Sequence, residues 1–249
     1  MDLGLQGRAA VVTGGASGIG AAIALALARE GCDVAVMDAR FEAAGSRVLQ
    51  GIEAAGRRGL RLQGDVRDAA FAERAIQDVV AAFGRLDILV CAAGITADAV
   101  SWKMTPAQWD DVIGVNLTGC FLWSRAAGAV LRDRGWGRIV NIASINGLRG
   151  KAGQANYAAS KGGMVALSKS LAKELGRAGV TVNVVAPGMV KTPMTAPLPD
   201  RFVEAAIEES AVGRIAEPED CASAVAWLCS AGARHVTGQV LKVDGGQYV

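Results

Sequence analysis

Tyr157 and Lys161 stand four residues apart, so a helix through them puts both side chains on one face. A phenol titrates near 10 and is a feeble base at neutral pH. Lowering it by about three units takes roughly 4 kcal/mol, which one ammonium about 4 Å away supplies at an effective dielectric near 20. Lys161 is placed to be that ammonium. Just upstream, Ser144 closes a β-branched run, and its hydroxyl can hold an oxygen and stabilise charge developing there. These three residue types support proton exchange with a hydroxyl or carbonyl oxygen, the step that hydride transfer at the adjoining carbon requires. Histidine is no substitute. His235, near the C-terminal end, is the only one, which excludes any mechanism needing two and leaves a Ser-His-Asp hydrolase dependent on that residue. Asn116 is the fourth candidate. It shares a helical stripe with Val112, Cys120 and Trp123, and is either a satisfied core amide or the mark of a kinked turn whose carbonyl binds a water that feeds protons to Lys161.

A second constellation is Thr13-Gly14-Gly15-Ala16-Ser17-Gly18-Ile19-Gly20, directly after a β-branched run and at the start of a helical pattern. Glycines let backbone N–H groups approach a pyrophosphate, and the helix N-terminus adds roughly half a positive charge. With an acidic residue, Asp38, at the end of the next strand, the pattern fits a dinucleotide fingerprint. Gly14, Ser17, Gly18, Ile19 and Gly20 are therefore candidate cofactor contacts. A carboxylate at Asp38 accepts from a ribose diol and repels a 2′-phosphate, and no Lys or Arg lies in the glycine-rich turn to hold that phosphate. NAD(H) is favoured over NADP(H), with Arg40 the one nearby cation that could turn inward. Asp65 either accepts from the adenine amino group or caps a turn.

Positioning these groups takes strands whose ends meet. Strand patterns fall at Ala9–Thr13, Asp33–Met37, Leu60–Gln63, Asp87–Cys91, Arg138–Ala143, Val180–Ala186 and Gln239–Val243. Helical patterns fall between them at Gly18–Glu30, Glu42–Ala55, Asp68–Phe83, Pro106–Arg134, Asn156–Gly176 and Pro218–Ser230. In the fifth, Met164, Leu167, Leu171 and Leu175 form one core-facing stripe. Such alternation needs crossover connections, hence a mostly parallel sheet covered on both faces, an α/β chain of 249 residues read as one domain, 1–249. Pro187 to about Arg201, rich in Pro, Met and Thr, is the one long irregular segment. A loop of that kind is expected to cover a site, so 187–212 is expected to form a substrate lid.

Composition narrows the classes further. With 51% hydrophobic and 20% charged residues, the chain is not disordered. Its 26 Lys+Arg against 24 Asp+Glu leave a net charge of +2, which gives no electrostatic case for nucleic acid or an anionic membrane as partner. The five cysteines (Cys32, Cys91, Cys120, Cys221, Cys229) form no C-x-x-C pair and lie in apolar stretches, which points to buried free thiols in a reducing cytoplasm. No signal-peptide pattern or membrane-length apolar run is present. One histidine and scattered carboxylates offer no metal ligand set.

On these residues the sequence closely resembles the short-chain dehydrogenase/reductase family. The resemblance runs from the T-G-x-x-x-G-x-G segment at Thr13–Gly20 through Asn116, Ser144, Tyr157 and Lys161 to Pro187-Gly188. It implies a three-layer Rossmann fold with a seven-stranded parallel sheet of order 3-2-1-4-5-6-7, usually in a homotetramer. It also implies Tyr157 as general acid/base, Lys161 as its pKa modulator and ribose binder, and Ser144 as substrate holder. Val66, Ala92, Ala93 and Gly94 join the expected cofactor contacts. So do Pro187, Gly188, the backbone near Val190 and the Thr192 hydroxyl, the last two beside the nicotinamide carboxamide. Asn146, Gln154 and Met189 join Ser144 and Tyr157 as expected substrate contacts.

Within the family, Gly94-Ile95-Thr96, Val115-Asn116-Leu117-Thr118-Gly119, Gly135–Ile142 and Gly153-Gln154-Ala155-Asn156-Tyr157 are similar to 3-oxoacyl-carrier-protein and acetoacetyl-CoA reductases. The implied substrate is a 3-oxoacyl or 3-hydroxyacyl thioester. The rivals are a free cyclic or aryl secondary alcohol and, more remotely, a non-catalytic dinucleotide sensor. Two departures stand out. The family's Asn-Asn-Ala-Gly is Cys91-Ala92-Ala93-Gly94 here, and those reductases generally take NADPH where Asp38 argues for NAD. Arg149 and Lys151 either attract the phosphates of a thioester carrier or lie on a solvated loop. Met189, Met194, Trp102 and Leu148 are either pocket walls or packing residues.

Overall fold

A computed structural model describes residues 2–249. In chain order its elements are β1 (Ala9–Thr13), α1 (Gly18–Arg29), β2 (Asp33–Asp38), α2 (Ala43–Ala54), β3 (Gly59–Gln63) and α3 (Ala69–Phe83). They continue with β4 (Ile88–Cys91), α4 (Pro106–Ile113), a π-helical turn (Gly114–Thr118), α5 (Gly119–Arg134) and β5 (Gly137–Ile142). The rest are α6 (Asn146–Arg149), α7 (Ala155–Leu175), a 3₁₀ turn (Gly176–Ala178), β6 (Val180–Pro187), α8 (Asp200–Glu209), α9 (Pro218–Cys229) and β7 (Val240–Val243). The strands form one sheet of order β3-β2-β1-β4-β5-β6-β7, parallel at every pairing. Fold class, strand count and order all agree with the expectation.

The alternation of side chains along each strand explains the three layers. Ala9, Val11, Ala35, Leu89, Ile139 and Val182 face α3, α5 and α7. Their neighbours Ala10, Val12, Val34, Val90, Val140 and Val185 face α1, α2 and α9. Both faces are dry, so the central strands read as continuous apolar runs rather than alternating ones. Local signals set the helix ends. Asp68 accepts from the Phe71 N–H at 3.0 Å, Thr105 and Gln108 form a capping box ahead of Pro106, and Gly84 and Gly135 end α3 and α5 in the left-handed conformation.

Two segments differ from the sequence-based expectation. The run Pro106–Arg134 stays helical, but its middle widens into the π turn that holds Asn116. The segment after β6 is irregular to Pro199, within two residues of its expected end, but the helix beyond it was not expected. Helix α8 follows, with Phe202, Val203, Ala206 and Ile207 at helical spacing that the proline-rich approach obscured.

Candidate active site

The sheet's order reverses at β1, between β2 and β4, and loops after the carboxyl ends of these strands leave a crevice there. It holds a cavity of about 360 Å³ lined by Gly14, Ser17, Gly18, Ile19 and Gly20, by Asp38, Asp65 and Val66, and by Ala92, Ala93, Gly94 and Thr192. The cradle is built for backbone approach. Gly14 has φ +66°, and a Cβ there would lie 2.7 Å from the Ala93 backbone; a Cβ on Gly20 would collide with the Gly14 carbonyl. Asp38 stands at the far end, its carboxylate accepting from the Ala16 N–H at 3.2 Å and the Arg40 N–H at 3.3 Å. Glycine turn, helix N-terminus and carboxylate together fit a dinucleotide.

Asp65 lines this cavity with its carboxylate engaged. Arg67 grips it through a bidentate pair, with its own N–H on Asp65 Oδ1 at 2.8 Å, and also reaches Asp111 at 3.0 Å. Arg67's hydrogen bonds hold the Asp65 carboxyl below its ordinary range, against the opposing effect of burial. Arg67 is thus a cofactor-side residue missed from the sequence, where nothing distinguished it from other surface arginines.

A second cavity of about 490 Å³ opens beside the first and shares Ile19, Ala92, Gly94, Ile142, Thr192 and Met194 with it. Ser144, Tyr157 and Lys161 line it together with Asn146, Gln154 and Met189, and with Pro187, Gly188 and Val190. Every cofactor and substrate residue expected from the sequence lies on one of these two cavities. Asn116 lies on neither. It is fully buried, accepting from the Ile95 N–H at 2.9 Å and donating to the Ile95 carbonyl and Ser160 Oγ, both at 3.1 Å. The amide is satisfied, and it sits within the π-helical turn Gly114–Thr118. A Cβ on Gly94 would lie 3.4 Å, an ordinary contact distance, from both Asn116 Oδ1 and Lys161 Nζ, which places both groups beside Gly94.

The electrostatics depart from expectation. Lys161 is 3% exposed; its ammonium donates to the Ile142 carbonyl at 2.7 Å and lies 5.6 Å from the centroid of the Tyr157 ring. Burial pushes it down from 10.5 to about 8. Burial likewise pushes the Tyr157 phenol up to about 12, with the Ser144 hydroxyl pulling it down and the Asp98 carboxylate pushing it further up. In the chain alone Lys161 does not lower the phenol. Burial disfavours the charged form of each group, so it moves the phenol up and the ammonium down. Tyr157 at neutral pH is therefore an acid holding its proton. Ser144 Oγ accepts from the Asn146 N–H at 3.1 Å, which leaves its own proton to donate.

Packing decides between the alternatives left open for other residues. Trp102, on the turn at 101–103, is 81% exposed and lines neither cavity. Leu148 packs into the core beneath α6. The Arg149 guanidinium lines the second cavity but is tied to Glu209 at 3.0 Å and the Gln247 carbonyl at 3.2 Å. Met189 and Met194 do form walls, joined by Leu198, Phe202 and Ala206 from α8 and its approach. All five cysteines are buried and free. No helix of the described residues is long and apolar enough to cross a membrane, and no cluster of His, Cys, Asp and Glu among them could hold a metal.

Comparison with known proteins agrees with this geometry. Residues 14–247 match the family model described as enoyl-(acyl carrier protein) reductase. A 3-oxoacyl-(acyl-carrier-protein) reductase of Staphylococcus aureus is 42% identical over 243 residues, 97% of this chain and 98% of that one. An acetoacetyl-CoA reductase of Rhizobium meliloti is 43% identical over 244 residues, again 97% and 98% of the two chains. A crystal structure from Sinorhizobium meliloti 1021, described as that of a short-chain alcohol dehydrogenase, superposes with a TM-score of 0.93 at 34% identity, covering 97% of this chain and 96% of that one. With a glycine cradle at the sheet's switch point and Ser144, Tyr157 and Lys161 in the cavity beside it, the chain belongs to the short-chain dehydrogenase/reductase family of oxidoreductases.

Proposed function

We propose that the protein reduces 3-oxoacyl thioesters of acyl carrier protein or CoA to 3-hydroxyacyl thioesters, with NAD(H) preferred over NADP(H). One observation carries this reading: Ser144 and Tyr157 share a cavity with the dinucleotide crevice on one side and the apolar wall of Met189, Met194, Leu198 and Phe202 on the other. The dinucleotide, when bound, supplies the hydride. Tyr157 donates its proton to the substrate oxygen, Ser144 holds that oxygen by a hydrogen bond, and the Lys161 ammonium offsets the charge left on the phenolate. Asn116 fixes the Ile95 turn that borders Lys161. An enoyl group has no oxygen on the carbon that takes the hydride, so two hydroxyl donors suit a ketone better. The relatives named above for 3-oxoacyl and acetoacetyl thioesters support the same substrate class.

Gly14, Ser17, Gly18, Ile19 and Gly20 would hold the pyrophosphate, and Asp38 the adenosine ribose. Val66, Ala92 and Ala93 would flank the adenosine half, and Gly188, Val190 and Thr192 the nicotinamide end. NAD(H) is favoured because the Asp38 carboxylate repels a 2′-phosphate, while Arg67, the cation lining that cavity, is committed to Asp65 and Asp111. Residues 187–212, which include α8, act as a lid within a single domain spanning 1–249. Lys151, at the rim of the substrate cavity and without an acidic partner among the described residues, is the cation placed for a carrier phosphate. Exposed Trp109 and Phe121 on α4 and α5, and Trp227 and Leu241 on α9 and β7, support a homotetramer. The test is a dinucleotide-oxidation assay pairing NADH and NADPH with acetoacetyl-CoA and with free cyclic and aryl ketones. NADH with the thioester should give the highest kcat/KM. Preferential turnover of free ketones would overturn the substrate, and preference for NADPH the cofactor.

A further inference from the structure

Helix α8 carries one wall of the substrate cavity, through Phe202, Ala205, Ala206 and Glu209. Its two ends are held differently. At the start, Pro199 offers no side-chain cap. At the other end, an α-helix leaves its last four carbonyls without a helical partner, and in α8 these begin at Ala206. The Ser210 N–H, which would close a helical bond to Ala206, donates to the Ile207 carbonyl instead at 3.1 Å. Gln247 Nε2 supplies the missing donor, reaching the Ala206 carbonyl at 2.7 Å from 41 residues away.

The same side chain has a second partner. Gln247 Oε1 accepts from the Met189 N–H at 2.8 Å, so one carboxamide joins the last turn of α8 to the backbone that leaves β6. Its orientation has no alternative, because the Met189 N–H only donates and the Ala206 carbonyl only accepts. The surrounding residues hold the amide in place. The buried Asp244 carboxylate accepts from the Gly246 and Tyr248 N–H groups, each at 3.1 Å, and the Asp244 carbonyl accepts from the Gln247 N–H at 3.1 Å. Gly188 leaves the space the amide fills, since a Cβ there would collide with Gln247 Oε1. Beyond the helix, Ser210 Oγ and the Val212 N–H donate to the Gly245 carbonyl at 3.3 and 3.1 Å. The other tie on α8 itself, Arg149 with Glu209, is a partly exposed ion pair, of a kind that contributes little.

Resting on the function proposed above, we propose that Gln247 is a positioning residue for the substrate: its amide pins the last turn of α8 to the end of β6 and so sets how far Phe202, Ala205 and Ala206 stand from Ser144 and Tyr157. In that scheme Gly188 and Val190, on either side of Met189, flank the nicotinamide end. One amide thereby keeps the acyl-binding wall in register with the cofactor. Gln247 touches no reacting atom and acts through the helix.

Gln247→Glu and Gln247→Met test the idea. The new carboxylate keeps an acceptor for Met189 but turns its second oxygen on the Ala206 carbonyl, while the thioether keeps the length and loses both bonds. Amide hydrogen exchange of the cofactor-free protein, read by mass spectrometry, reports on α8 directly. Residues 200–209 should exchange about three- to tenfold faster in both variants, the effect of one lost hydrogen bond, with β1 and β5 exchanging as in the parent. KM for acetoacetyl-CoA should rise by a similar factor and kcat stay within about twofold, because Ser144, Tyr157 and Lys161 are untouched. Parental exchange in α8, equal acceleration in β1 and β5, an unchanged KM or a loss confined to kcat would overturn the inference. The two readouts separate it from the reading it rests on. If the parent reduces no thioester while α8 still exchanges faster in the variants, the proposed function alone fails.

Discussion

Lys161 is a destabilising residue for the fold, and the size of the effect can be measured. Its ammonium is buried with one carbonyl as its hydrogen-bond partner, and burial lowers it from 10.5 to about 8. At about 1.4 kcal/mol per pH unit, keeping it charged near neutrality costs about 3 kcal/mol relative to the unfolded chain. Lys161→Met keeps the length of the side chain and removes the charge. It also leaves the Ile142 carbonyl without a donor, a loss of about 1–2 kcal/mol. The net expectation is a gain of about 1–2 kcal/mol, or about 2–8 °C in Tm for a chain of this size, with turnover abolished. The pH dependence is the sharper signature. Between about 8 and 10.5 the unfolded chain binds more protons than the folded one, so the parent gains stability as pH rises and the gap to the variant closes. Urea and thermal melts of the cofactor-free proteins at about pH 7 and pH 10 measure both numbers. A variant less stable than the parent at pH 7, or a gap unchanged at pH 10, would refute the reasoning.

Further expectations follow from the packing. Gly20→Ala should abolish dinucleotide binding by calorimetry, since its Cβ meets the Gly14 carbonyl; Gly84→Ala, whose Cβ meets nothing, should bind normally and lose only about 1 kcal/mol to its left-handed backbone. Asp87 is buried and held by Arg85 at 2.6 Å, Arg8 at 3.1 Å and the Ala9 N–H at 2.9 Å. Burial opposes its ionisation, but these partners prevail and its carboxyl lies below the ordinary range. The stability it contributes is thus present above about 3.8 and lost as pH falls through its lower folded value. Asp87→Asn should cost about 3 kcal/mol at neutral pH and flatten the acid limb of a stability–pH curve. The five thiols should resist a disulfide reagent in the native protein and all react after denaturation.

The sequence was most informative where local chemistry dictates structure. The glycine turn at Thr13–Gly20 and the Tyr157–Lys161 spacing are short-range patterns, and the seven buried strands follow from their apolar runs. Asn116 stood out because an amide interrupts an apolar stripe, and the π turn supplies the reason. Helix α8 was hidden because the prolines before it suggested a loop that its own apolar spacing contradicts. The phenol's acidity was misjudged because a four-residue spacing fixes a shared face but not a distance or a burial. Both depend on how β5 and α7 pack. Asp98 and the ties of Arg67 to Asp111 and of Arg149 to Glu209 were invisible for the same reason: each depends on segments far apart in the chain.

The central claim is that Tyr157 enters the reaction as a proton donor. Ultraviolet titration of the Tyr248→Phe protein isolates this phenol, since Tyr157 is then the only tyrosine left. The account predicts no phenolate absorbance below about pH 10.5, because burial holds the phenol up at about 12. An ionisation step near neutral pH in the cofactor-free protein would contradict it.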